Sequence, residues 1–578
     1  MRAVLLLAAA AALAAPPPVL KTEYRDGLER ALVRHADTGA PVTEGDPARP
    51  GELLILAAAG VPERCEVWVG EHAAAGERLS DEEIQFAMPA VAGTAFADVS
   101  IQAGETRSNI AGIDVQNAGD PVQLSAAEVA GLVERAAAAI ADPRMAIAVV
   151  DRAGRPLAVY RKPQATADAM ATALSLARTG AFFSNNQAPL SSRTVRAISR
   201  ENFPDQFPGW RPINTPAAAL FGIENTNRGC FLAGNYQPGR AVPPARDLSG
   251  EGAGRGIATI PGGTPLYRAV GEGQEVIGGL GVAGIDENHA EFAVAAATAG
   301  TPFFVQVLPP PFAVYIDGIR LPFLTQTTRP AGTQADAVFN AALYAVAPRG
   351  GAPAPDGWLV GPNAGTQLTR EEVTRIVENA VARANRTRAQ IRLPLGSRTR
   401  MVISVSDLEG TILGLFRMPD ATVFSIDVAA TKSRNVVYFS GRGVNPQDLP
   451  GVPPGTAVTN RTIGFGSQLY FPSGINRSAP GPFRELYLRD LANPCTQGSE
   501  PTHRNQSGIV FFPGSAPLYR GGQLIGGLGV SGDGVEQDDY VTAAGAQGFE
   551  APDGSRADQI FIRDVRLPYW KFPRNPEQ

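Results

Sequence analysis

The stretch PGGTPLYRAVGEGQEVIGGLGVAG at residues 261–284 returns at 513–532 as PGSAPLYRGGQLIGGLGVSG, and this recurrence narrows the choice of fold more than any other feature of the 578-residue chain. Other segments repeat around it. LSAAEVAGLVERAAAAI (124–140) matches LTREEVTRIVENAVARA (368–384), and MAIAVVDRAGRPLAVYRKP (145–163) matches MVISVSDLEGTILGLFRMP (401–419). ATADAMATALSLARTGAFF (165–183) matches ATVFSIDVAATKSRNVVYF (421–439), and the tails YIDGIRLPF (315–323) and FIRDVRLPY (561–569) agree. A period of about 250 residues is the length of a domain, too long for a solenoid unit.

Local patterns assign each segment. The first is a helix opened by a capping box, Ser125 with Glu128 in one copy and Thr369 with Glu372 in the other. The second is a β-hairpin whose polar turn carries Asp151 and Gly154, or Asp407 and Gly410; the third is an Ala-rich helix with apolar residues at helical spacing. The Gly-rich block is a strand and turn leading into a last helix. Each copy is therefore expected to be an α+β domain, an antiparallel sheet flanked by helices. Between the middle helix and the Gly-rich block lie residues 186–256 and 442–508, rich in Pro, Gly and Asn and long enough to be functional loops. Residues 50–118 alternate in short apolar segments punctuated by Gly, Pro or Asn, the pattern of an N-terminal β-sandwich. The expected order is a signal peptide (1–14), the sandwich (24–118), a first domain (122–330), a linker (331–364) around APRGGAPAPDG, and a second domain (365–578).

A formal net charge of −5 gives no basic field, so neither nucleic acid nor an anionic membrane surface is an expected partner. MRAVLLLAAAAALAAPPP sets Arg2 before an apolar run and places Ala12 and Ala14 before three prolines. This is the layout of a secretory signal peptide, with cleavage after Ala14 and a periplasmic or secreted mature protein. No later run reaches the length of a membrane anchor. Export permits disulfides, yet there are only Cys65, Cys230 and Cys495. Cys230 and Cys495 fall in comparable regions of the two copies. They either pair across the copies or sit as separate buried thiols, the simpler expectation.

The hairpin VVDRAGRPLAVYR, the helix end ARTGAFFS, the phrase LSSRTVRAISRENFP (190–204) and VIGGLGVAG together resemble the GlcG/HbpS family, also called the haem-degrading domain family. The second copy keeps SVSDLEGTILGLFRMPDATVFSIDVAATKSR and LIGGLGVSGDGVEQDDYV and reads as lacking the LSSRTVR phrase. PGE before a strand, then VWVG, IQFAMPA and VSIQAGETRSN, resemble IPT/TIG immunoglobulin-like domains, which usually act as spacers or docking surfaces. The GlcG/HbpS resemblance implies an antiparallel sheet flanked by helices, assembly into oligomers and, for some members, binding of haem or a related tetrapyrrole. Other members have no settled activity, since a fold does not fix a function.

Candidate binding residues come in matched pairs. Gly279, Gly281 and Gly284, like Gly527, Gly529 and Gly532, satisfy GxGxxG. The first copy lacks both the acidic residue about twenty positions on and a parallel βαβ frame, so a dinucleotide site is not expected. Instead the glycines admit a neighbouring backbone or ligand against the strand and turn the chain into the last helix, whose N–H groups could hold a carboxylate or phosphate. Tyr267 and Arg268, with Tyr519 and Arg520, sit at consecutive strand positions facing opposite sides. Each Tyr either packs or, toward haem, supplies an axial oxygen; each Arg either lies on a rim or pairs with a propionate. Arg178 and Arg434 each precede an aromatic, Phe182 or Tyr438, by four residues, a face suited to one carboxylate and one flat ring, or equally a solvated Arg above core aromatics. Among four histidines, His289 at the start of the last helix is the best single metal ligand, against a surface or capping role. No Ser/His/Asp arrangement, zinc cluster, HExxH or P-loop stands out.

These readings converge on an exported protein binding haem or another flat, anionic small molecule, its two copies packed as an internal pseudo-dimer and open to assembly as a homo-oligomer, with the site in the first copy. An enzyme acting on a small organic acid or a sugar derivative, with the long loops as a lid, is one alternative; a structural cell-envelope module is the other.

Overall fold

The computed structural model describes residues 18–577 apart from 26–27, 44, 70–71, 92–95, 104–105, 110, 117–123, 202–219, 233–255, 271–272, 305–307, 309–310, 317, 337–338, 340–343, 347–355 and 473–477. The expected signal peptide lies outside the described residues. The chain forms two compact units, one built from Met1–Arg25, Glu29–Ala92 and Phe96–Ala118, the other chiefly from Gly119–Gln578.

In the first unit the apolar alternation becomes strands. Leu53–Ala59 buries Leu54, Leu56 and Ala58, and Glu83–Ala87 buries Ile84 and Phe86, as a period of two requires. Among the described residues eleven strands join in one hydrogen-bonded series, mostly antiparallel, with Gly112 paired in parallel to Arg30. Their inward residues, among them Val67, Val99, Ile101 and Ile113, make a single core. Arg30 and Asp114, both buried, pair at 2.9 Å beside the parallel contact.

The second unit contains the two copies. In the first, α1 (Ala126–Ala139) precedes the hairpin β1 (Ala146–Asp151) and β2 (Pro156–Arg161); α2 (Ala167–Phe183) and the short α3 (Ser192–Arg196) follow, then β3 (Gly263–Val270), β4 (Gly273–Ala283) and α4 (Glu287–Thr298). A further strand, β5 (Tyr344–Val346), completes an antiparallel sheet in the order β3-β4-β1-β2-β5. The second copy begins with strand β6 (Gly357–Val360) and runs through α5 (Arg370–Ala384), β7 (Met401–Ser406), β8 (Ile412–Arg417), α6 (Phe424–Ser440), α7 (Asn460–Gly466), α8 (Arg484–Ala492), β9 (Ser515–Arg520), β10 (Gln523–Gly532) and α9 (Val535–Gly545). Its sheet order, β6-β8-β7-β10-β9, mirrors the first.

Both capping boxes form: Glu128 and Glu372 each return a carboxylate to the backbone N–H of Ser125 and Thr369, at 2.8 and 2.9 Å. Asp151 and Asp407 act as turn residues, each taking two backbone N–H groups of its own hairpin. The expected linker proves to be part of both sheets. Its residues 344–346 pair with β2, and 357–360 pair with β8, where Trp358 is fully buried. The Gly/Pro/Ala composition around residue 350 hides edge strands on either side of it.

The copies meet through non-equivalent surfaces. Phe183, at the end of α2, stacks on Phe424, at the start of α6, with centroids 4.0 Å apart, and Val423 N–H donates to Phe182 O. Arg392, 1% exposed at its side chain, reaches Asp420 at 2.5 Å, Asp533 and the Gln187 side chain. It lies in residues 385–400, which replace the far shorter 141–144 of the first copy. Residues 220–232 of the first copy's long loop lie on the second, where Arg228 pairs with Asp490, and Asn227 N–H donates to Asp427 at 2.7 Å. Cys230 and Cys495 are joined in a disulfide with Cα atoms 5.4 Å apart, which corrects the expectation of separate thiols; Cys65 stays free. No sequence spacing indicates the bond, because the long loop alone brings the two cysteines together.

Candidate functional site

The matched glycines hold helices, and no ligand shares that space. A Cβ built on Gly279 or Gly281 would strike the carbonyls of Ala177 or Ala173 in α2; one on Gly527 or Gly529 would strike those of Ser433 or Ala429 in α6. The middle helix of each copy thus lies directly on the central strand. Gly284, at φ +85°, turns the chain toward α4, whose first turn is capped by the Asp286 side chain.

On this frame the PLYR residues separate as their spacing requires. Tyr267 faces α2, buried, its hydroxyl donating to Asn185 O at 2.8 Å. Burial drives its pKa upward and that of Tyr519 up to about 12, and the Tyr267 hydroxyl is already engaged by a backbone carbonyl. Arg268 faces the other side, on Glu128 at 2.9 and 3.0 Å and over the Phe303 ring. Arg520 repeats this with Glu372 and Phe549. Both arginines tie the edge strand to the capping helix.

Arg178 and Arg434 are equivalent as well, and both are buried. Arg178 Nε donates to Gly154 O at 3.1 Å and Arg434 Nε to Gly410 O at 2.8 Å, so each clamps its hairpin turn, with Phe182 filling the space under Gly154. Arg434 also donates to the carbonyls of Phe231 and Leu232 from the first copy, and burial holds its pKa down at about 10. His289 stands in the first turn of α4, its N–H on Asp286; among the described residues no cluster of His, Cys, Asp or Glu suits a metal ion. Arg178, Tyr267, Arg268 and the glycines therefore do not converge on one open pocket.

An open groove does exist in the first copy, made by residues the sequence reading passed over. It encloses about 700 Å³ between the α3 region and the tail, walled by Pro189, Phe304, Leu308, Phe312 and Phe323, with Arg320 at its edge. The tail is pinned by α3: Ser191 Oγ bonds Phe323 O, and Thr194 Oγ1 donates to Pro322 O at 2.6 Å. Arg193 holds buried Glu291 at 2.6 and 3.0 Å. The second copy contains the same device, which corrects the reading that it lacks the phrase. Thr459 and Thr462 donate to Tyr569 O and Pro568 O at 2.6 and 2.7 Å, and Arg461 pairs with Asp539. TNRTI stands for SSRTV, and the matching RLPF and RLPY tails were the signal for it.

Several residues that line the groove change between the copies. Phe303 and Phe549 occupy equivalent places, each carbonyl taking the N–H of Tyr267 or Tyr519. Counting on from there aligns Phe304 with Glu550, Phe312 with Asp558 and Arg320 with Arg566. In the second copy Asp558 pairs with Arg556 at 2.7 Å and approaches Arg566 at 3.6 Å, and Tyr569 is buried. In the first copy Phe312 is exposed and Arg320 has no carboxylate partner among the described residues.

Among curated proteins, the corrinoid adenosyltransferase PduO of Salmonella typhimurium (strain LT2) is 29% identical over 171 residues, covering 30% of this chain and 35% of that protein. The chain thus spans about a third of this relative's length. Among solved structures, a PduOC:haem complex is similar at 22% identity and a TM-score of 0.21, covering 32% of this chain and 98% of the other. Klebsiella pneumoniae protein ORFY is similar at 19% identity and a TM-score of 0.20, covering 31% and 86%. The family described as haem degrading protein HbpS-like matches residues 122–299 and again 368–547. With both matches together spanning more than half of its length, the chain belongs to the HbpS-like family.

Proposed function

We propose that the protein binds haem, or a closely related flat macrocycle carrying carboxylates, in the groove of its first copy. The observation that carries this reading is the contrast between the copies. The first has an apolar, partly aromatic groove of about 700 Å³ whose Arg320 has no carboxylate partner among the described residues, and the second has an Arg556–Asp558–Arg566 ion cluster at the aligned positions. Aromatic walls suit a flat ring, and a guanidinium at the edge suits a propionate. The family description names haem and the curated relative's name a corrinoid, both tetrapyrrole-type macrocycles. Among the described residues the lining offers apolar and aromatic contacts but no His, Met, Cys or Tyr to ligate iron, so in this reading ring contact and the propionate pair carry the binding.

Export is part of the same proposal, supported by the Cys230–Cys495 disulfide, a bond that persists in oxidising compartments. In this reading the N-terminal unit is an IPT/TIG-like sandwich serving as a spacer. Titration of the mature chain with haemin, followed by the Soret band, tests the proposal. Saturation at one haemin per chain, weakened by Arg320→Ala, is expected; no spectral shift at any haemin concentration overturns it.

A further inference from the structure

At the middle of α6, Lys432 is fully buried, with Nζ 3.0 Å from Asp538 Oδ2 and 2.7 Å from Val530 O. The first copy has Leu176 and Ala290 in these places. Gly262 and Gly514 fix the equivalence, since a Cβ on Gly262 would meet Ala290 and Leu176, and one on Gly514 would meet Asp538 and Lys432. An aliphatic contact in one copy is thus an ion pair in the other. Buried ion pairs are weak contributors to stability compared with packed apolar residues, so stability alone does not account for the exchange.

Asp538 also lines a small cavity of about 30 Å³ between the copies, walled by Phe183, Leu190, Ile316 and Phe424 with Gln390 and Ser531 beside them. Its Oδ2 is taken by Lys432, while no donor reaches Oδ1 among the described residues, although the side chain is 3% exposed. A buried carboxylate oxygen left without a donor is costly, and the volume admits one or two waters. We propose that the cavity between the two copies is a binding site for a small hydrogen-bond donor, water, held by Asp538 Oδ1.

The site exists only where the copies meet, because Phe183, Leu190 and Ile316 come from the first and Asp538 from the second. Other charged groups stand around the pair: Asp539 beside it on α9, Arg461 on α7 behind Asp539, and Asp533 with Arg392 ahead of α9. Burial pushes Asp538 up to about 7, against the pull of Lys432.

Two measurements on the full mature chain test this. A crystal structure is expected to show an ordered water within hydrogen-bond distance of Asp538 Oδ1; an empty cavity, or a protein donor on that oxygen, overturns the proposal. Infrared difference spectra across neutral pH are expected to contain a protonated-carboxyl band that shifts in D2O and is missing from Asp538→Asn. The paired variant Lys432→Leu, Asp538→Ala restores the first copy's residues; it is expected to fold, lose the band and leave the cavity dry. Retention of the water in that variant overturns the proposal equally.

Discussion

Arg228, in the long loop of the first copy, places Nη2 3.1 and 3.0 Å from the two carboxylate oxygens of Asp490 in the second, with both side chains almost wholly buried. Asn225 and the Ile509 N–H complete the shell around Asp490. Removing the guanidinium leaves a buried carboxylate short of its cation, so Arg228→Ala is expected to cost about 3–5 kcal/mol in urea unfolding. Leu491→Ala, at an exposed position nearby in sequence, is expected to stay within about 0.5 kcal/mol.

The disulfide fastens the same loop. Thiol counting on the denatured, unreduced protein is expected to find Cys65 alone. Replacing Cys230 and Cys495 with serine is expected to cost about 2–5 kcal/mol, because the bond closes a loop across 265 positions of sequence.

The helix-on-strand contact leaves no room for a methyl group. Gly281→Ala and Gly529→Ala would each drive a Cβ into a helix carbonyl, so each is expected to destabilise by about 3 kcal/mol or prevent soluble expression. Gly300→Ala, in open space at φ +69°, is expected to cost only about 1 kcal/mol, read by thermal melts.

Haemin binding is expected to separate the copies. Arg320→Ala is expected to weaken it about tenfold, a loss of about 1.4 kcal/mol. Phe312→Asp, which installs the second copy's residue in the first copy's groove, is expected to weaken it further by offering Arg320 an internal partner. Asp558→Ala is expected to leave the affinity unchanged, as titration of each variant would show.

Stability should depend on pH with an unusual sign. Burial pushes Asp427 and Asp490 up to about 6, although Asn227 and Arg228 pull each the other way. Since their folded values exceed the unfolded value, the folded protein holds these protons more tightly. Their contribution is full below about pH 4 and is lost as pH rises to about 6. The melting temperature is therefore expected to be higher near about pH 5 than near about pH 7.5, with the difference reduced in Asp427→Asn.

The repeat, both capping boxes and the hairpin turns at Asp151 and Asp407 were legible because each depends on residues within a few positions of one another. The close approach of a helix to Gly281 and Gly529 was legible too, since admitting a neighbouring backbone is the common use of glycine in a central strand. What escaped the sequence depends on distant partners. Trp358 becomes an edge-strand residue only by pairing with Phe416, and Arg178 and Tyr267 read as ligand contacts until the hairpin turn and Asn185 claim them. Phe312 and Arg320 matter because of what is absent beside them, which appears only when the two tails are aligned at Phe303 and Phe549.

The long loop also sets a timetable. A chain made from its N-terminus completes the first groove when the RLPF tail has been synthesised, but Arg228 and Cys230 must then wait until Asp490 and Cys495 exist. Throughout that interval Arg228 lacks its carboxylate, and Cys230 is a thiol without its mate. The last stretch to be made therefore fastens the middle of the chain, and a molecule cut short before residue 490 would carry a finished groove beside an unfastened loop.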